Sequence, residues 1–255
     1  MRRILLTGAA GAIATVVRPV LRELATEVVL TDRVDVAASE PGERFVRASL
    51  EDPAPWEELA AGCEAIVHLG AVPDEAAFDV LAGPNLHGAF HVYDAARRAR
   101  VPRVVVASSG RATGFYRVGE RLDGDTTPRP DGLYGATKAF SEALGRMYAD
   151  RFGVEVVALR IGTFLERPTT ARDLSTWLSH GDARRLVRAA LTGPVDGFLA
   201  VYGVSANTRA WWDLPPSLGF VPEDDAEDYA GDVAPDDDIP FQGGPTTAPD
   251  YGGWT

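Results

Sequence analysis

Short apolar runs of strand length alternate along the first part of the chain with longer segments whose apolar positions recur at helical spacing. The strand-like runs are apolar throughout, which is typical of strands covered by helices on both faces. Strands that alternate with helices predict a parallel sheet. We therefore expect strands at 4–7, 28–31, 65–69, 104–107 and 154–159, and helices at 12–24, 85–98 and 134–152.

The pattern loosens after residue 162, where we expect a helix near 182–191 and a strand near 198–202. From residue 223 onward the chain is rich in Asp, Pro and Gly, which favours irregular structure. The predicted fold class is α/β, with a Rossmann-like, doubly wound parallel sheet and a small C-terminal substrate-side region. We assign 1–222 to a catalytic domain that includes this region from about 163, and 223–255 to an acidic, largely irregular tail.

The composition of the chain argues against several classes of binding partner. The chain has 255 residues and a net charge of -12, which argues against nucleic acid or an anionic membrane as a partner. No apolar run approaches the roughly 18 residues of a membrane span. Cys63 is the single cysteine, so neither an intrachain disulfide nor a cysteine-based zinc site is possible. We expect a cytoplasmic protein with a small-molecule substrate. His87 and His91 have the spacing of a metal pair but lack an evident third ligand, so we expect no metal.

A glycine-rich turn follows the first predicted strand and opens the first predicted helix. Gly8 permits a tight turn, Gly11 lets the backbone approach a pyrophosphate, and the helix N-terminus offers unpaired N–H groups. Asp32 ends the second predicted strand, where a carboxylate binds an adenosine ribose and repels a 2′-phosphate. These positions favour NAD over NADP, although Arg33 can in principle receive a phosphate. A strand-turn-helix junction without a ligand can also use glycine.

Tyr134 and Lys138 stand four residues apart at the start of a predicted helix and therefore share one face. A nearby cation favours the phenolate of a tyrosine, so the pair predicts a general base. The same spacing is common on solvated helices. However, 24 of the 25 basic residues are arginine and the single lysine is Lys138. A bulkier guanidinium does not reproduce a compact ammonium, so this position indicates a specific need for lysine.

A hydroxyl is expected near this pair, because a predicted strand ends in residues 107–109 (ASS) at the carboxyl edge of the sheet. Ser109 can hydrogen-bond a reacting oxygen there. The alternative is a serine that only terminates a strand. Together, the residues predict a catalytic group made of Ser109, Tyr134 and Lys138.

The chain resembles the extended short-chain dehydrogenase/reductase superfamily, and within it the uronate dehydrogenases. Beyond the glycine turn and the Tyr-Lys pair, the resemblance rests on residues 66–70 (IVHLG), 129–135 (RPDGLYG), 174–177 (LSTW) and 241–244 (FQGG). It spans nearly the whole chain, and these stretches are more specific than the glycine turn. The expected cofactor contacts are Gly8, Ala10, Gly11, Ala12, Ile13, Asp32, Arg33, Leu50, Leu69, Gly70, Ala71, Asn85, Tyr134, Lys138 and Ile161.

The resemblance implies an oxidation at C1 of a cyclic hexuronic acid. Tyr134 would remove the anomeric hydroxyl proton while hydride leaves C1 for the nicotinamide of NAD, giving an aldarolactone. Ser109 would orient the hydroxyl, and Lys138 would hold the nicotinamide ribose and lower the pKa of the tyrosine. Arg172 would bind the sugar carboxylate through its bidentate fork. A surface position for Arg172 is the alternative.

The chain departs from the resembled enzymes at the sugar end. Where they carry an Asn-His pair after the serines, this chain has Gly110 and Arg111, and Pro73 replaces a substrate serine. We expect Gly110 to make room and Arg111 to add a positive charge, which would change selectivity among sugar hydroxyls. Ser49 replaces an adenine-side Asp. The expected substrate contacts are Pro73, Ser109, Gly110, Arg111, Tyr134 and Arg172.

Three other functions stay open at this stage. One is a dehydrogenase for a different sugar or cyclic alcohol. Another is a sugar epimerase or dehydratase that keeps NAD bound, although no Asp-Glu acid/base pair follows the catalytic hydroxyl residue. A third is a non-catalytic NAD sensor, which would have no need of Ser109, Tyr134 and Lys138. Helices at 85–98 and 134–152 commonly pair between subunits in the resembled superfamily, so we expect a homo-oligomer.

Overall fold

A seven-stranded, fully parallel sheet forms the centre of the computed structural model, which describes residues 1–38, 40–235 and 240–251. Its order is β3-β2-β1-β4-β5-β6-β9. The chain therefore leaves β1 toward one side and returns at β4 on the other, the switch point at which open sheets bind ligands. The strands are β1 Arg3–Thr7, β2 Glu27–Asp32, β3 Glu43–Arg47, β4 Ala65–His68, β5 Arg103–Ser109, β6 Glu155–Ile161 and β9 Phe198–Gly203; β7 Thr163–Phe164 and β8 Trp177–Leu178 pair separately.

Helices cover both faces of the sheet, which confirms the doubly wound fold. They are α1 Ala12–Leu24, α2 Trp56–Ala60, α3 Phe78–Leu81, α4 Gly88–Ala99, α5 Leu133–Phe152, α6 Asp173–Thr176 and α7 His180–Thr192. Alternate residues of each strand face opposite layers: Ile4 and Leu6 pack with α1 and α7, and Leu5 packs with α2, α4 and α5. No helix in the described ranges is long and apolar enough to cross a membrane.

The strand β3 was not predicted. Its sequence, ERFVR, places charged residues at three of five positions, and none of the five is fully buried. As the edge strand it needs no continuous apolar run, because only one side pairs and charge on an edge discourages further pairing. The strands and helices that the sequence did predict are all present, with shifted boundaries. The largest shift is at α4, which starts at Gly88 after a wide π-helical turn at Ala82–His87.

A buried ionic group fixes α5 against the sheet. Glu142 of α5 accepts hydrogen bonds from Arg160 of β6 at 2.9 and 3.0 Å and from Ser108 of β5 at 2.5 Å. The Glu142 and Arg160 side chains are only 6% and 3% exposed. Removing one partner of such a pair costs about 3–5 kcal/mol, since the other is left charged and buried. The helix is therefore held at one depth relative to the ends of β5 and β6.

The described part of the segment 223–255 is irregular, with short 3₁₀ turns at Ala226–Tyr229 and Gly244–Thr247. It nevertheless packs against the loop after β5 and against Trp212. Gln242 is buried; its amide nitrogen donates to the carbonyls of Arg117 and Glu120, and its amide oxygen accepts from Trp212. Residues 240–251 thus form a wall of the molecule rather than a separate appendage. Residues 236–239 and 252–255 lie outside the described part of the chain.

Candidate active site

One cleft follows the carboxyl ends of β1, β2, β4, β5 and β6 and collects almost every residue that the sequence singled out. The predicted residues that line it are Gly8, Gly11, Ala12, Ile13, Asp32, Arg33, Leu50, Leu69, Gly70, Ala71, Pro73, Ser109, Gly110, Arg111, Tyr134, Lys138, Ile161 and Arg172. The parallel strands end at the same edge, so residues distant in sequence meet there. The cleft therefore brings the glycine turn, the Tyr134-Lys138 pair and Arg172 into one site.

Ala10 and Asn85, both predicted cofactor contacts, are not among the residues that line the cleft. The Ala10 amide donates to a carboxylate oxygen of Asp32 at 3.0 Å, which ties the glycine turn to β2. Asn85 is buried and bonds both the amide and the carbonyl of Val72, and its side chain also donates to the hydroxyl of Thr137. Both residues thus bond to segments that line the cleft, Asp32 for Ala10 and Val72 for Asn85.

The glycine turn has the backbone geometry of a phosphate cradle. Gly8 has φ +69°, and a Cβ there would lie 2.5 Å from the amide nitrogen of Gly70. Gly11 precedes α1 and provides no side-chain cap, so N–H groups of the first turn of α1 face the cleft. Backbone N–H groups at a helix N-terminus bind phosphate oxygens.

Asp32 is held rigidly at the far end of this turn. Its two carboxylate oxygens accept the backbone amides of Ala10 at 3.0 Å and Val34 at 3.2 Å. Arg33 and Ser49 line the same end. A fixed carboxylate at the end of the second strand is the group that binds ribose hydroxyls.

Ser109, Tyr134 and Lys138 come together in the middle of the cleft. Ser108 and Ser109 point to opposite faces of β5, so Ser108 reaches Glu142, whereas Ser109 lines the cleft with Tyr134 and favours its phenolate. The Lys138 ammonium donates to the carbonyl of Ala107 at 3.0 Å and lies 5.4 Å from the centre of the Tyr134 ring. Tyr134 is 8% exposed and Lys138 7%.

Burial dominates the protonation of both groups. It raises the pKa of Tyr134 to about 12, against the opposing effects of the Arg111 charge and the Ser109 hydrogen bond. Burial also lowers the pKa of Lys138 to about 8. Burial thus outweighs the neighbouring cations and leaves the pKa of Tyr134 above its usual value. Within the protein itself, the cation that most favours the phenolate is Arg111.

His68 supports the cleft from inside the sheet. It is buried, and its Nδ1 pairs with the hydroxyl of Thr7 at 2.7 Å. Burial, followed by the charge of Lys138, lowers the pKa of His68 to about 3, so the ring is neutral. The same Thr7 hydroxyl accepts the Gly70 amide at 3.2 Å, which links β1 to the chain after β4.

Arg172 lies immediately before α6 and lines the cleft. Its Nε donates to the Gln242 carbonyl at 2.8 Å, and one terminal nitrogen lies 3.3 Å from the Thr163 hydroxyl and 3.4 Å from that of Thr176. These contacts orient the guanidinium. The sequence did not single out Thr163; its signal would have been a hydroxyl residue just after β6, next to the carboxyl edge of the sheet.

Gly110 does not leave open space, in contrast to the expectation. A Cβ at this position would lie 2.8 Å from the Trp212 ring. The indole stacks on Tyr202 with ring centres 4.6 Å apart, and its N–H donates to Gln242 at 2.8 Å. The volume beside Gly110 is therefore filled by a fixed aromatic wall of the cleft.

Arg111 does not add an unbalanced positive charge either. Its guanidinium pairs with Asp74 at 2.7 Å, Glu75 at 2.8 Å and Asp131 at 3.1 Å. The side chains of Glu75 and Asp131 are 4% and 0% exposed. Three carboxylates thus surround one cation. The sequence analysis missed these partners, although Asp74 and Glu75 directly follow Pro73 and Asp131 lies within the 129–135 motif.

No group of three or more His, Cys, Asp or Glu side chains suited to a metal ion occurs within residues 1–38, 40–235 and 240–251. The cleft instead offers a phosphate cradle, a rigid carboxylate, and a tyrosine with a lysine and a serine. This combination can bind a dinucleotide and move one proton on a hydroxyl group.

Comparison with known proteins agrees with this geometry. The chain is 40% identical to the uronate dehydrogenase of Pseudomonas putida, with 95% of this chain and 94% of that protein covered. It is 33% identical to an L-arabinose 1-dehydrogenase (NAD(P)(+)) of Haloferax volcanii, with coverage of 89% and 98%. A crystal structure of a uronate dehydrogenase mutant from Agrobacterium tumefaciens, complexed with NAD, superposes with a TM-score of 0.92 at 39% identity and covers 97% of each chain.

Residues 4–185 match the sequence model of the NAD dependent epimerase/dehydratase family. These residues include β1 to β6, the glycine turn, Ser109, Tyr134, Lys138 and Arg172. The chain belongs to the NAD dependent epimerase/dehydratase family.

Proposed function

We propose that this chain is an NAD-dependent dehydrogenase that oxidises C1 of a cyclic hexuronate to an aldarolactone. The observation that carries the proposal is one cleft that is lined by the phosphate cradle, by the Ser109-Tyr134-Lys138 group and by Arg172. The uronate dehydrogenase of Pseudomonas putida, 40% identical over nearly the full length of both chains, supports the substrate class.

The residues of the cleft fit NAD. The turn at Gly8 and Gly11 and the N-terminus of α1 would hold the pyrophosphate, and Asp32 would hold the adenosine ribose and disfavour a 2′-phosphate. Lys138 would contact the nicotinamide ribose. When bound, NAD supplies the hydride acceptor for the oxidation. We place the enzyme in the cytoplasm, in keeping with the buried, unpaired Cys63; recovery of the protein from a secreted fraction would contradict this.

The chain's own residues handle the proton of the reacting hydroxyl. Ser109 holds the anomeric hydroxyl, and the Tyr134 oxygen takes its proton as the C1–H bond breaks with its electron pair and C1=O forms. Tyr134 must be ionised to accept that proton. Because burial raises the pKa of Tyr134, we infer that the rate increases with pH over the neutral to alkaline range.

Arg172 is proposed to bind the carboxylate of the sugar. A guanidinium has five N–H donors in a rigid fork that suits a carboxylate. The contacts with Gln242 and Thr163 set the plane of this fork at the cleft. Arg111, another cation of the cleft lining, pairs with Asp74, Glu75 and Asp131.

A neutral aldose is the second candidate substrate. The specific observation is that Gly110 and Pro73 remove two side chains with which the resembled enzymes contact the sugar, while Trp212 fills the space beside Gly110. The 33% identity to an L-arabinose 1-dehydrogenase points in the same direction. Selectivity among sugars is thus the part of the proposal on which the two candidates differ.

We expect purified protein with NAD to form NADH with D-glucuronate or D-galacturonate and to turn over L-arabinose more slowly. Tyr134→Phe removes the base and should lower kcat by about 10²–10⁴-fold, the usual contribution of a general base. NAD affinity, measured by calorimetry, should stay within a factor of a few. If L-arabinose is the better substrate, the second candidate replaces the first; a variant as active as the parent would refute the role of Tyr134.

Arg172→Met should reduce kcat/KM for hexuronates by about 10- to 100-fold, because charge-assisted hydrogen bonds to the carboxylate are lost. Arg172→Lys keeps the charge but not the fork, so its kcat/KM for hexuronates should lie between the values of the parent and of Arg172→Met. L-arabinose, which has no carboxylate, is the internal control and should lose far less. Equal losses on both substrate types would show that Arg172 only supports the fold.

Lys138→Met should abolish turnover yet stabilise the fold. Burial lowers the pKa of Lys138 to about 8, so at pH 7 folding buries a charged amine at a cost. We expect the variant to gain about 1–3 kcal/mol in the free energy of unfolding at pH 7. The unfolded chain binds more protons between about pH 8 and 10.5, so the parent gains stability with pH and the difference shrinks there. Urea unfolding at pH 7 and pH 9.5 measures it, and a less stable variant at pH 7 would contradict the prediction.

We further propose that the protein forms a homo-oligomer through α4 and α5. Phe90 on α4, and Phe140, Met147 and Phe152 on α5, are 39–47% exposed although apolar. Contiguous exposed apolar side chains mark association surfaces. Light scattering should give at least twice the chain mass of 27.2 kDa, and Phe140→Glu with Met147→Glu should reduce it to one chain. A monomeric parent would overturn this proposal.

A further inference from the structure

Arg111 joins three separate segments at the mouth of the cleft. It belongs to the 3₁₀ turn Gly110–Thr113 after β5 and pairs with Asp74 and Glu75 from the loop after β4 and with Asp131 from the loop before α5. Its side chain is 13% exposed. A cation that satisfies three carboxylates at these distances is part of the framework and not a solvated surface charge.

Glu75 connects this cluster directly to the helix that carries Tyr134. The helix α5 has no side-chain cap from its own N-cap residue, Gly132. The Glu75 carboxylate takes that place: it accepts the Leu133 amide at 2.7 Å and the Tyr134 amide at 3.2 Å. A carboxylate at a helix N-terminus satisfies unpaired N–H groups and the helix dipole. Arg111 donates to Oε2 of Glu75, the same oxygen that accepts the Tyr134 amide.

The contact with Tyr134 itself is close. The Arg111 guanidinium carbon lies 5.1 Å from the centre of the Tyr134 ring, compared with 5.4 Å for the Lys138 ammonium. The centre of the Tyr251 ring lies 5.5 Å from the same guanidinium carbon. Arg111 is therefore enclosed between two aromatic rings and three carboxylates, which leaves its position strongly determined.

The backbone around the cluster allows little adjustment. A Cβ at Gly135 would lie 2.5 Å from the Arg111 carbonyl, and a Cβ at Gly132 would lie 2.4 Å from a Glu75 oxygen. The Asp131 amide donates to the same Arg111 carbonyl at 3.2 Å. Residues 131–135 are thus packed directly onto the turn at Arg111, so a shift of Arg111 displaces the first turn of α5.

We propose that Arg111 is a positioning residue for Tyr134. With Glu75 it fixes the N-terminus of α5, and it holds a positive charge beside the phenol. The exposed carboxylate of Asp74 partly offsets the electrostatic effect of that charge on the phenol. This inference deepens the proposed function, since it concerns the same base. It assigns to Arg111 a task other than binding the sugar.

The charges around Tyr134 come from every segment that packs on it. Asp74 and Asp131 disfavour the phenolate and raise the pKa of Tyr134, whereas Arg111 lowers it. Lys138 lies on the same helix as Tyr134. His68 of β4, beside Lys138, is neutral because burial lowers its pKa.

From the C-terminal segment, the Thr246 hydroxyl donates to Asp131 at 2.5 Å and Tyr251 covers Arg111. Glu75 is held by Arg111 and by the amides of α5. Of the three carboxylates on Arg111, Asp74 is 66% exposed, and its removal therefore leaves the fold intact while changing the charge.

Two substitutions should shift the tyrosine in opposite directions. Asp74→Asn removes a negative charge and should lower the pKa of Tyr134 by about 0.3 unit or more; Arg111→Gln leaves three carboxylates unbalanced and should raise it by about 0.5 unit or more. Arg111→Lys keeps the charge, so the pKa of Tyr134 in this variant should stay near its value in the parent. Asp125→Asn removes an exposed carboxylate outside the cleft lining and is the matched control.

The direct readout is the ¹³Cζ resonance of labelled tyrosine from pH 8 to 12.5, a range that covers the raised pKa of Tyr134, with Tyr134 assigned by its loss in Tyr134→Phe. This titration needs no turnover, so it remains valid even if the protein does not oxidise hexuronates. Opposite shifts for Asp74→Asn and Arg111→Gln, with Arg111→Lys and Asp125→Asn unchanged, support the proposal.

Two outcomes overturn it. An unshifted Tyr134 in both variants, with a lower Tm for Arg111→Gln, would reduce Arg111 to a structural role. An unshifted Tyr134 together with a tenfold or larger rise in KM for D-glucuronate would make Arg111 a substrate anchor. Asp74→Asn keeps the test decisive if Arg111→Gln does not fold.

Discussion

A parallel sheet buried on both faces is the constraint on which the rest of this molecule depends. Its strand interiors must be apolar, as in Leu5, Val29 and Val105, which are completely buried. In the central strands, polar and glycine residues are therefore found mainly near the strand ends, and in a parallel sheet all the carboxyl ends lie on one edge. Gly8, Asp32 and Ser109 reach the same cleft for this reason. The position of the site follows from the burial of the sheet, and its chemistry from the few residues permitted at its edge.

The second constraint is the placement of α5, since it carries Tyr134 and Lys138. Two sets of charges hold it. Glu142 pairs with Arg160 beneath the sheet edge, and Glu75 accepts the amides at the helix N-terminus while bonded to Arg111. Both groups are buried ionic clusters, which do little for net stability but define one geometry for the chain. These clusters fix the phenol of Tyr134 relative to Ser109 and to the glycine turn.

Short sequence patterns were enough to predict the central strands and most residues of the cleft. The glycine turn, the Tyr134-Lys138 spacing and the single lysine are features of a few consecutive residues, and the continuous apolar runs marked the central strands. Features that depend on contacts between distant segments could not be read in this way. The edge strand β3 lacks an apolar run, the partners of Arg111 come from two other loops, and Trp212 occupies the space beside Gly110 from more than 100 residues away. The direction of the Tyr134 pKa depends on burial, which spacing alone does not give.

The central claim is that hydride leaves C1 of a hexuronate for NAD as Tyr134 takes the hydroxyl proton. The most direct measurement uses D-glucuronate deuterated at C1, with mass spectrometry of the reduced cofactor and of the sugar product. The account predicts one deuterium in the NADH formed, an unlabelled aldarolactone, and a slower reaction than with unlabelled sugar if hydride transfer limits the rate. Unlabelled NADH, or a product that retains the deuterium at C1, would contradict the account, because another carbon would then be the one oxidised.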